Sequence, residues 1–320
     1  MHKALLLALV VVFIGCGQQN PVNDNAVKDE NAVAMSKTTD KDLKLLFKIG
    51  RFGPGEGEFH HPTRIAFDGD LLFVSDFRNN RIQVFDKNGK FRYMFGSTGW
   101  GDGQFNRPDG IAADKNQVFV ADFYNHRIQV FDKRGKFRFK FGTFGTGDGQ
   151  FDRPIAIALI EDEIAVVDFG NHRLQFFNED GKFLRKLGGF GTGDGQFNYP
   201  ADIALDKDRF YVTDFYNHRV QVFDKKTAKF LFKFGSPGSG DGQFSYPAGI
   251  SVDGKLIVVT EYLGHRFQIF NLEGKFLSKF GSFGSDIGKF INPEGVFLDD
   301  DEVYIADKEN HRILNFELPD

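Results

Sequence analysis

An arginine recurs along this 320-residue chain on a nearly fixed beat. Arg81, Arg127, Arg173, Arg219, Arg266 and Arg312 are spaced by 46, 46, 46, 47 and 46 residues. Pro62, Pro108, Pro154, Pro200, Pro247 and Pro293 keep the same rhythm. Around each arginine lies a near-copy of one segment, such as DFRNNRIQVFD (76–86), DFYNHRIQVFD (122–132) and DKENHRILNFE (307–317). The single extra residue falls in DKKTAK (224–229), where other copies have forms like DKRGK, so the insertion belongs to a turn. A unit of this length cannot bury its own apolar face, so neighbouring units must stack.

Each unit divides into four short strands, here named a to d. In the second unit these are GIAAD (110–114), QVFVAD (117–122), RIQVFD (127–132) and KFRFKFG (136–142). Ile128 and Val130 share one face of strand c, with Gln129 and Phe131 on the other, because side chains alternate along a strand. The chain's 40 Phe and 37 Gly fit this reading of aromatic-packed strands joined by Gly-rich loops. Four antiparallel strands per unit of this length is the blade of a β-propeller. The expected fold is therefore all-β, a six-bladed propeller. The last unit stops after strand c, while LKLLFKIG (43–50) resembles a strand d with no blade of its own. Residues 43–49 are expected to complete the last blade and close the ring, which hides strand edges that would otherwise pair with other chains.

The units centred on Asn-His-Arg resemble NHL repeats, over residues 43 to about 318. The resemblance implies a six-bladed NHL propeller. Proteins with this domain include RNA-binding and ubiquitin-ligase scaffolds, an amidating lyase, sensors of bacterial kinases and many exported bacterial proteins. It thus implies architecture far more than activity.

In such a ring the long d–a loops share one face with the tight b–c turns, and the a–b turns lie on the other. The a–b turns, such as DKNQ (114–117) and DDDE (299–302), read as solvated. On the first face, an acid ends strand b and an arginine begins strand c. The pairs are Asp76–Arg81, Asp122–Arg127, Asp168–Arg173, Asp214–Arg219, Glu261–Arg266 and Asp307–Arg312. A planar guanidinium grips a carboxylate through two charge-assisted hydrogen bonds. His126, His172, His218, His265 and His311 precede five of these arginines, and each is expected to hydrogen-bond a neighbouring loop carbonyl. Asn125 is the residue expected to take a left-handed turn conformation. Six copies of the set argue for a structural clasp on each hairpin rather than a catalytic site.

Function is expected where the copies disagree. The second turn position holds Arg78, Tyr124, Gly170, Tyr216, Leu263 and Glu309, whereas the aromatic before it recurs and is expected to pack between blades. Tyr and Arg are enriched at binding hot spots. Just after each proline the units also differ: Arg64, Asp109, Ile155, Asp202, Ala248 and Glu294. Arg64, Arg78, Tyr124, Asp202, Tyr216 and Glu294 are the candidate ligand-binding residues of the long-loop face.

No metal or other cofactor is expected. The repeat histidines are spread around a ring, His60 and His61 form only a pair, and Asp102, Asp148, Asp194 and Asp241 each sit alone in a loop. GTGDG lacks the Gly-Lys-Ser/Thr ending of a phosphate loop.

The N-terminus, MHKALLLALVVVFIGC, has a short basic start and an apolar run ending at Cys16, the only cysteine. FIGC resembles the bacterial lipobox, with Phe13 where Leu is usual, and this implies a signal peptide over residues 1–15 and lipidation of Cys16. Residues 16–42 are polar and lack aromatics, and they read as a tether with a reach of roughly 25–30 Å. The 40 basic residues less Lys3 leave 39 against 44 acidic ones, a formal charge of −5. That balance argues against nucleic acid as a partner. The sequence thus points to a monomeric, lipid-anchored envelope protein, with the outer membrane favoured, that binds a protein, peptide or glycan. The alternative is a metal-dependent lyase or hydrolase with its site at the channel mouth.

Overall fold

The computed structural model of the protein describes residues 43–319. The expected signal peptide, Cys16 and tether lie outside the described residues. Six four-stranded antiparallel sheets follow one another, each ordered a-b-c-d. Blade 1 comprises Pro62–Phe67, Leu71–Asp76, Arg81–Asp86 and Phe91–Phe95. The last blade takes its strand d from the start of the chain: Lys44–Ile49 pairs antiparallel with Arg312–Glu317. The ring is closed as the sequence implies.

Strands b and c are in strict register, which sets each acid opposite its arginine: Asp122 faces Arg127 and Asp307 faces Arg312. Strand a is different. Every a–b pair shifts register just after its proline, as between Pro108 and Ile111. This bulge turns the first residues of strand a toward the axis of the ring.

The core consists of six apolar clusters, one between each pair of adjacent blades. Phe131 joins the cluster facing blade 1, whereas Ile128 and Val130 join the one facing blade 3. Both faces of strand c are therefore buried, and each fully buried Phe contributes about 1.5–3 kcal/mol. The d–a loops supply one more to every interface: Phe59, Phe105, Phe151, Phe197, Phe244 and Phe290 are all fully buried. The glycine that ends strand d permits this. At Gly142 (φ +91°) a Cβ would lie 2.4 Å from the Phe151 ring.

Candidate functional site

The polar residues of the repeat are used up by the scaffold. In blade 2, Asp122 Oδ2 accepts from Arg127 Nε at 2.8 Å, Asn125 at 2.8 Å and Gln129 at 3.1 Å. Its Oδ1 accepts from the Asn106 amide at 2.7 Å. Arg127 does not grip the carboxylate with two nitrogens, as expected from the sequence. Its terminal nitrogens instead donate to Trp100, Gly101 and Gln104 carbonyls at 2.7, 2.8 and 2.9 Å. The arginine thus pins the long d–a loop down onto the hairpin. The same pattern recurs around Arg81, Arg173, Arg219 and Arg312. Only in blade 5 does the longer Glu261 bring both oxygens to its arginine, Arg266, at 2.5 and 3.3 Å.

The histidine has a different partner from the one expected. His126 Nδ1 accepts the Arg153 backbone N–H of the next blade at 3.1 Å. His172, His218 and His265 do the same toward Tyr199, Tyr246 and Asn292. Asn80 Oδ1 stands in for histidine toward Arg107, and His311 meets the His61 amide to complete the circle. The left-handed residue of the turn is this one, His126 at φ 53°, and not Asn125, which ends a 3-10 turn. Burial lowers the pKa of all five tie histidines, and the neutral ring that this favours leaves Nδ1 able to accept. Burial, with Arg78 and Lys308 next in effect, pushes His61 down to about 3.

The residues after the prolines do not form one slot. The strand-a bulge splits them into two levels. The upper level holds Thr63, Asp109, Ile155, Ala201, Ala248 and Glu294; the lower holds Arg64, Gly110, Ala156, Asp202, Gly249 and Gly295. At the lower level only blades 1 and 4, opposite each other, carry long side chains. Arg64, 5% exposed, reaches across the axis to donate to the Ala201 carbonyl at 3.0 Å, with Nε 3.6 Å from Asp202. Gly295 makes room for it: a Cβ there would lie 2.4 Å from the Thr63 carbonyl and 2.9 Å from Arg64 Cα.

Glu294 lies 3.9 Å from Arg64 and accepts from Lys308 at 2.6 Å. Asp109 is 4% exposed, and burial, opposed by Arg64, pushes its carboxyl up to about 7. Arg64 Nε, Asp109 Oδ1 and Glu294 Oε2 make no hydrogen bond of ordinary geometry. Arg64, Asp202 and Glu294 are thus brought together, the first two buried and Glu294 partly so, and paired with one another rather than displayed.

Above them the first turn residues surround the mouth. Phe77 meets Phe123 at 6.0 Å, Phe123 meets Phe169 at 6.5 Å, and Phe215 meets Tyr262 at 6.1 Å. Lys308 fills the aromatic slot of blade 6, with Nζ 5.6 Å from the Phe77 ring and 5.4 Å from Tyr262. The packing of these aromatics between blades was legible in the repeat; Lys308 as a lone cation among them was the signal for the axial cluster.

The second turn residues stand outside this ring. Tyr124 and Tyr216 are 43% and 48% exposed, and Arg78 is exposed. Of their neighbours, the residues just before each proline, sequence reasoning weighed only His61 and missed the rest. Tyr199 and Tyr246 pack on Tyr216 at 5.3 and 5.5 Å, and Arg107 lies over Tyr124 at 5.3 Å. All six pre-proline residues are left-handed without being glycine. Their changing identity on a regular beat was the available signal. The other weighed acids are engaged: Asp102, Asp148, Asp194 and Asp241 each pair with a strand-d lysine at 2.5–2.7 Å.

Residues 59–85, 105–131, 197–223 and 290–316 match the family described as NHL repeat, and residues 151–209 match one described as 6-bladed beta-propeller. No curated protein matches the chain. Among solved structures, the chain is similar to a protein of unknown function from Bacteroides thetaiotaomicron, at 18% identity over 86% of this chain and 75% of that one, with a TM-score of 0.64. A gluconolactonase from Xanthomonas campestris is 14% identical over 82% of this chain and 87% of its own, with a TM-score of 0.61. Virginiamycin B lyase from Staphylococcus aureus is 15% identical over 86% and 99%, with a TM-score of 0.58. At these identities the likeness is one of fold.

Proposed function

We propose that this chain, a six-bladed β-propeller built of NHL repeats, is an exported, lipid-anchored binding module that holds a protein, peptide or glycan on its long-loop face. The observation that supports this is the asymmetry of that face. Clasps and ties consume the repeated polar residues, so the side chains left on the turns and before the prolines differ from blade to blade. Tyr199, Tyr216 and Tyr246 form an aromatic sector on blades 4 and 5, and Arg78, Arg107 and Tyr124 a cationic one on blades 1 and 2. Tyrosine offers a large amphipathic surface at small entropic cost, and arginine pairs with carboxylates or stacks on flat groups. Cys16 would carry the anchor, with the outer membrane favoured, and residues 17–42 the spacing from it. The protein acts as a monomer, and the acidic balance disfavours nucleic acid.

The axial cluster supports a second reading, a lyase or hydrolase working at the channel mouth. A carboxyl at about 7 suits proton transfer near neutral pH. Among the described residues no three His, Cys, Asp or Glu side chains gather as metal ligands, so this reading rests on acid–base chemistry.

Capture from envelope extracts separates the two. The triple variant Arg78→Ala/Tyr124→Ala/Tyr216→Ala is expected to fold normally and to retain less than a tenth of the wild-type partner. Undiminished capture by the folded triple variant would remove the long-loop face as the binding surface. Loss of capture in Asp109→Asn instead would favour the mouth.

A further inference from the structure

The variable residues of the long-loop face sort by chemistry around the ring. At the second turn and pre-proline positions, arginine occurs only in blades 1 to 3, as Arg78, Arg107 and Arg153. Most charges on this face are answered locally. Asp152 accepts from Arg153 at 3.1 and 3.2 Å, Glu58 from Arg51 at 2.8 Å, and Glu294 from Lys308 at 2.6 Å. Arg78 and Arg107 differ. Among the described residues, neither guanidinium is paired with a carboxylate or donates a hydrogen bond; Arg107 meets only aromatic rings.

These two arginines share one seam. Arg107 lies against the Phe77 and Tyr124 rings, 5.5 and 5.3 Å away, and Phe77 directly precedes Arg78. The Arg78 amide donates to the His60 carbonyl at 3.0 Å. Burial first, then Arg78 and more weakly Arg107, hold the His60 pKa below its ordinary value, against Asp76 and Glu309. Asp76 is taken up by its clasp. Glu309 stands on the blade 6 side, 3.2 Å from His61 Nε2. A stacked guanidinium keeps its donor edge, so two such cations in one seam suit a carboxylate. The tyrosine sector selects what that carboxylate is attached to. Tyr216 meets Tyr199 at 5.3 Å and Tyr246 at 5.5 Å, the latter pair perpendicular, and Leu263 on blade 5 is 49% exposed. Rings packed edge to face make a ridged apolar surface tipped with hydroxyls. Such a surface fits the side chains and backbone of a peptide better than the flat face of a sugar ring.

The geometry points to an acidic peptide segment as the partner of this face: its Asp or Glu carboxylates accept from Arg78 and Arg107, and an aromatic or leucine side chain beside them packs on Tyr199, Tyr216 and Tyr246. This inference rests on the reading of the long-loop face as a binding surface and narrows its partner to one class.

The probe is a positional-scanning array of octapeptides with capped ends, read with the full chain carrying Cys16→Ser, which cannot be lipidated. Asp and Glu are expected to be selected at least about fivefold over Lys and Arg, with Phe, Tyr or Leu selected at nearby positions. Arg78→Gln/Arg107→Gln is expected to erase the acid preference and keep the apolar one, and Tyr216→Ala/Tyr246→Ala to do the reverse. Glu309→Gln removes a competing carboxylate and is expected to sharpen the acid preference. Raising salt from about 50 to about 300 mM is expected to weaken acid selection alone. Thermal unfolding checks that each variant is folded, and Arg78→Gln alone, at an exposed residue, repeats the test if a double variant is not. No acid preference, or one that survives Arg78→Gln/Arg107→Gln in the folded protein, would overturn the inference. So would binding of oligogalacturonate, lost in that variant, without peptide selection, which would give the seam to an anionic glycan. If acid preference is absent while Arg78→Ala/Tyr124→Ala/Tyr216→Ala still loses its envelope partner, the face binds and only the class of partner is wrong.

Discussion

Arg127 and Arg64 are both buried arginines beside a carboxylate, yet they live in different structures. Arg127 is one of six copies, and each of its three nitrogens has a partner within 2.9 Å. Arg64 has no copy, one carbonyl partner at 3.0 Å and another at 3.4 Å, and carboxylates only at 3.6 and 3.9 Å. The first arrangement fastens a loop to a hairpin. The second leaves bonding capacity in reserve at the axis. Between these two arginines, repetition goes with full engagement in the scaffold and singularity with unused bonding capacity.

Substituting both arginines by lysine puts that contrast under load. Lysine keeps the charge but cannot reach several acceptors at once. Arg127→Lys is expected to cost at least about 3 kcal/mol, because two or more charged hydrogen bonds to loop carbonyls, worth about 1.5–3 kcal/mol each, are lost, and Arg64→Lys only about 1.5–3 kcal/mol, the worth of one such bond. Denaturant midpoints at unchanged slope give both values. Equal losses would mean that the axial arginine is as fully engaged as the clasps.

The ties give a smaller, pH-dependent effect. The folded ring holds its five tie histidines below the ordinary value, chiefly by burial, while the unfolded chain protonates near about 6.5. Below that pH the unfolded state takes up more protons, so this share of stability is full above about 6.5 and is lost as pH falls toward the folded values. Asn80 already performs the tie without titrating. His172→Asn is therefore expected to fold and to flatten the loss of thermal stability between pH 7 and 5. An unchanged slope would remove His172 from the acid response.

On the exposed rim the stability effect should vanish. Tyr216→Ala is expected to change unfolding free energy by no more than about 0.5 kcal/mol while reducing partner capture. A larger loss of stability would make Tyr216 part of the scaffold.

The ring itself was legible because blade length, strand alternation and the orphan N-terminal strand are all patterns in the chain. The acid–arginine pairing was legible because strict register follows from a turn of fixed length. The two-level axis was not, since a bulge changes where Asp109 and Arg64 point without changing the proline-to-arginine spacing. Nor was the role of His126: an intra-blade segment carries no mark that its histidine reaches the next blade. Nor was the fastening of the Gly-rich d–a loops, which Arg127 and Gln129 hold through part-buried carbonyls that loop length does not disclose.

The near six-fold frame makes the central claim directly measurable. A photo-reactive amino acid can be placed in turn at positions 78, 124, 170, 216, 263 and 309, which are equivalent in the scaffold, and at Lys115 and Lys207 on the opposite turns. If the turn residues that vary from blade to blade carry recognition, crosslinking to an envelope partner will be uneven around the ring, strongest at 124 and 216 and absent at 115 and 207. Equal yield at all six turn positions, or crosslinks confined to the opposite turns, would contradict it.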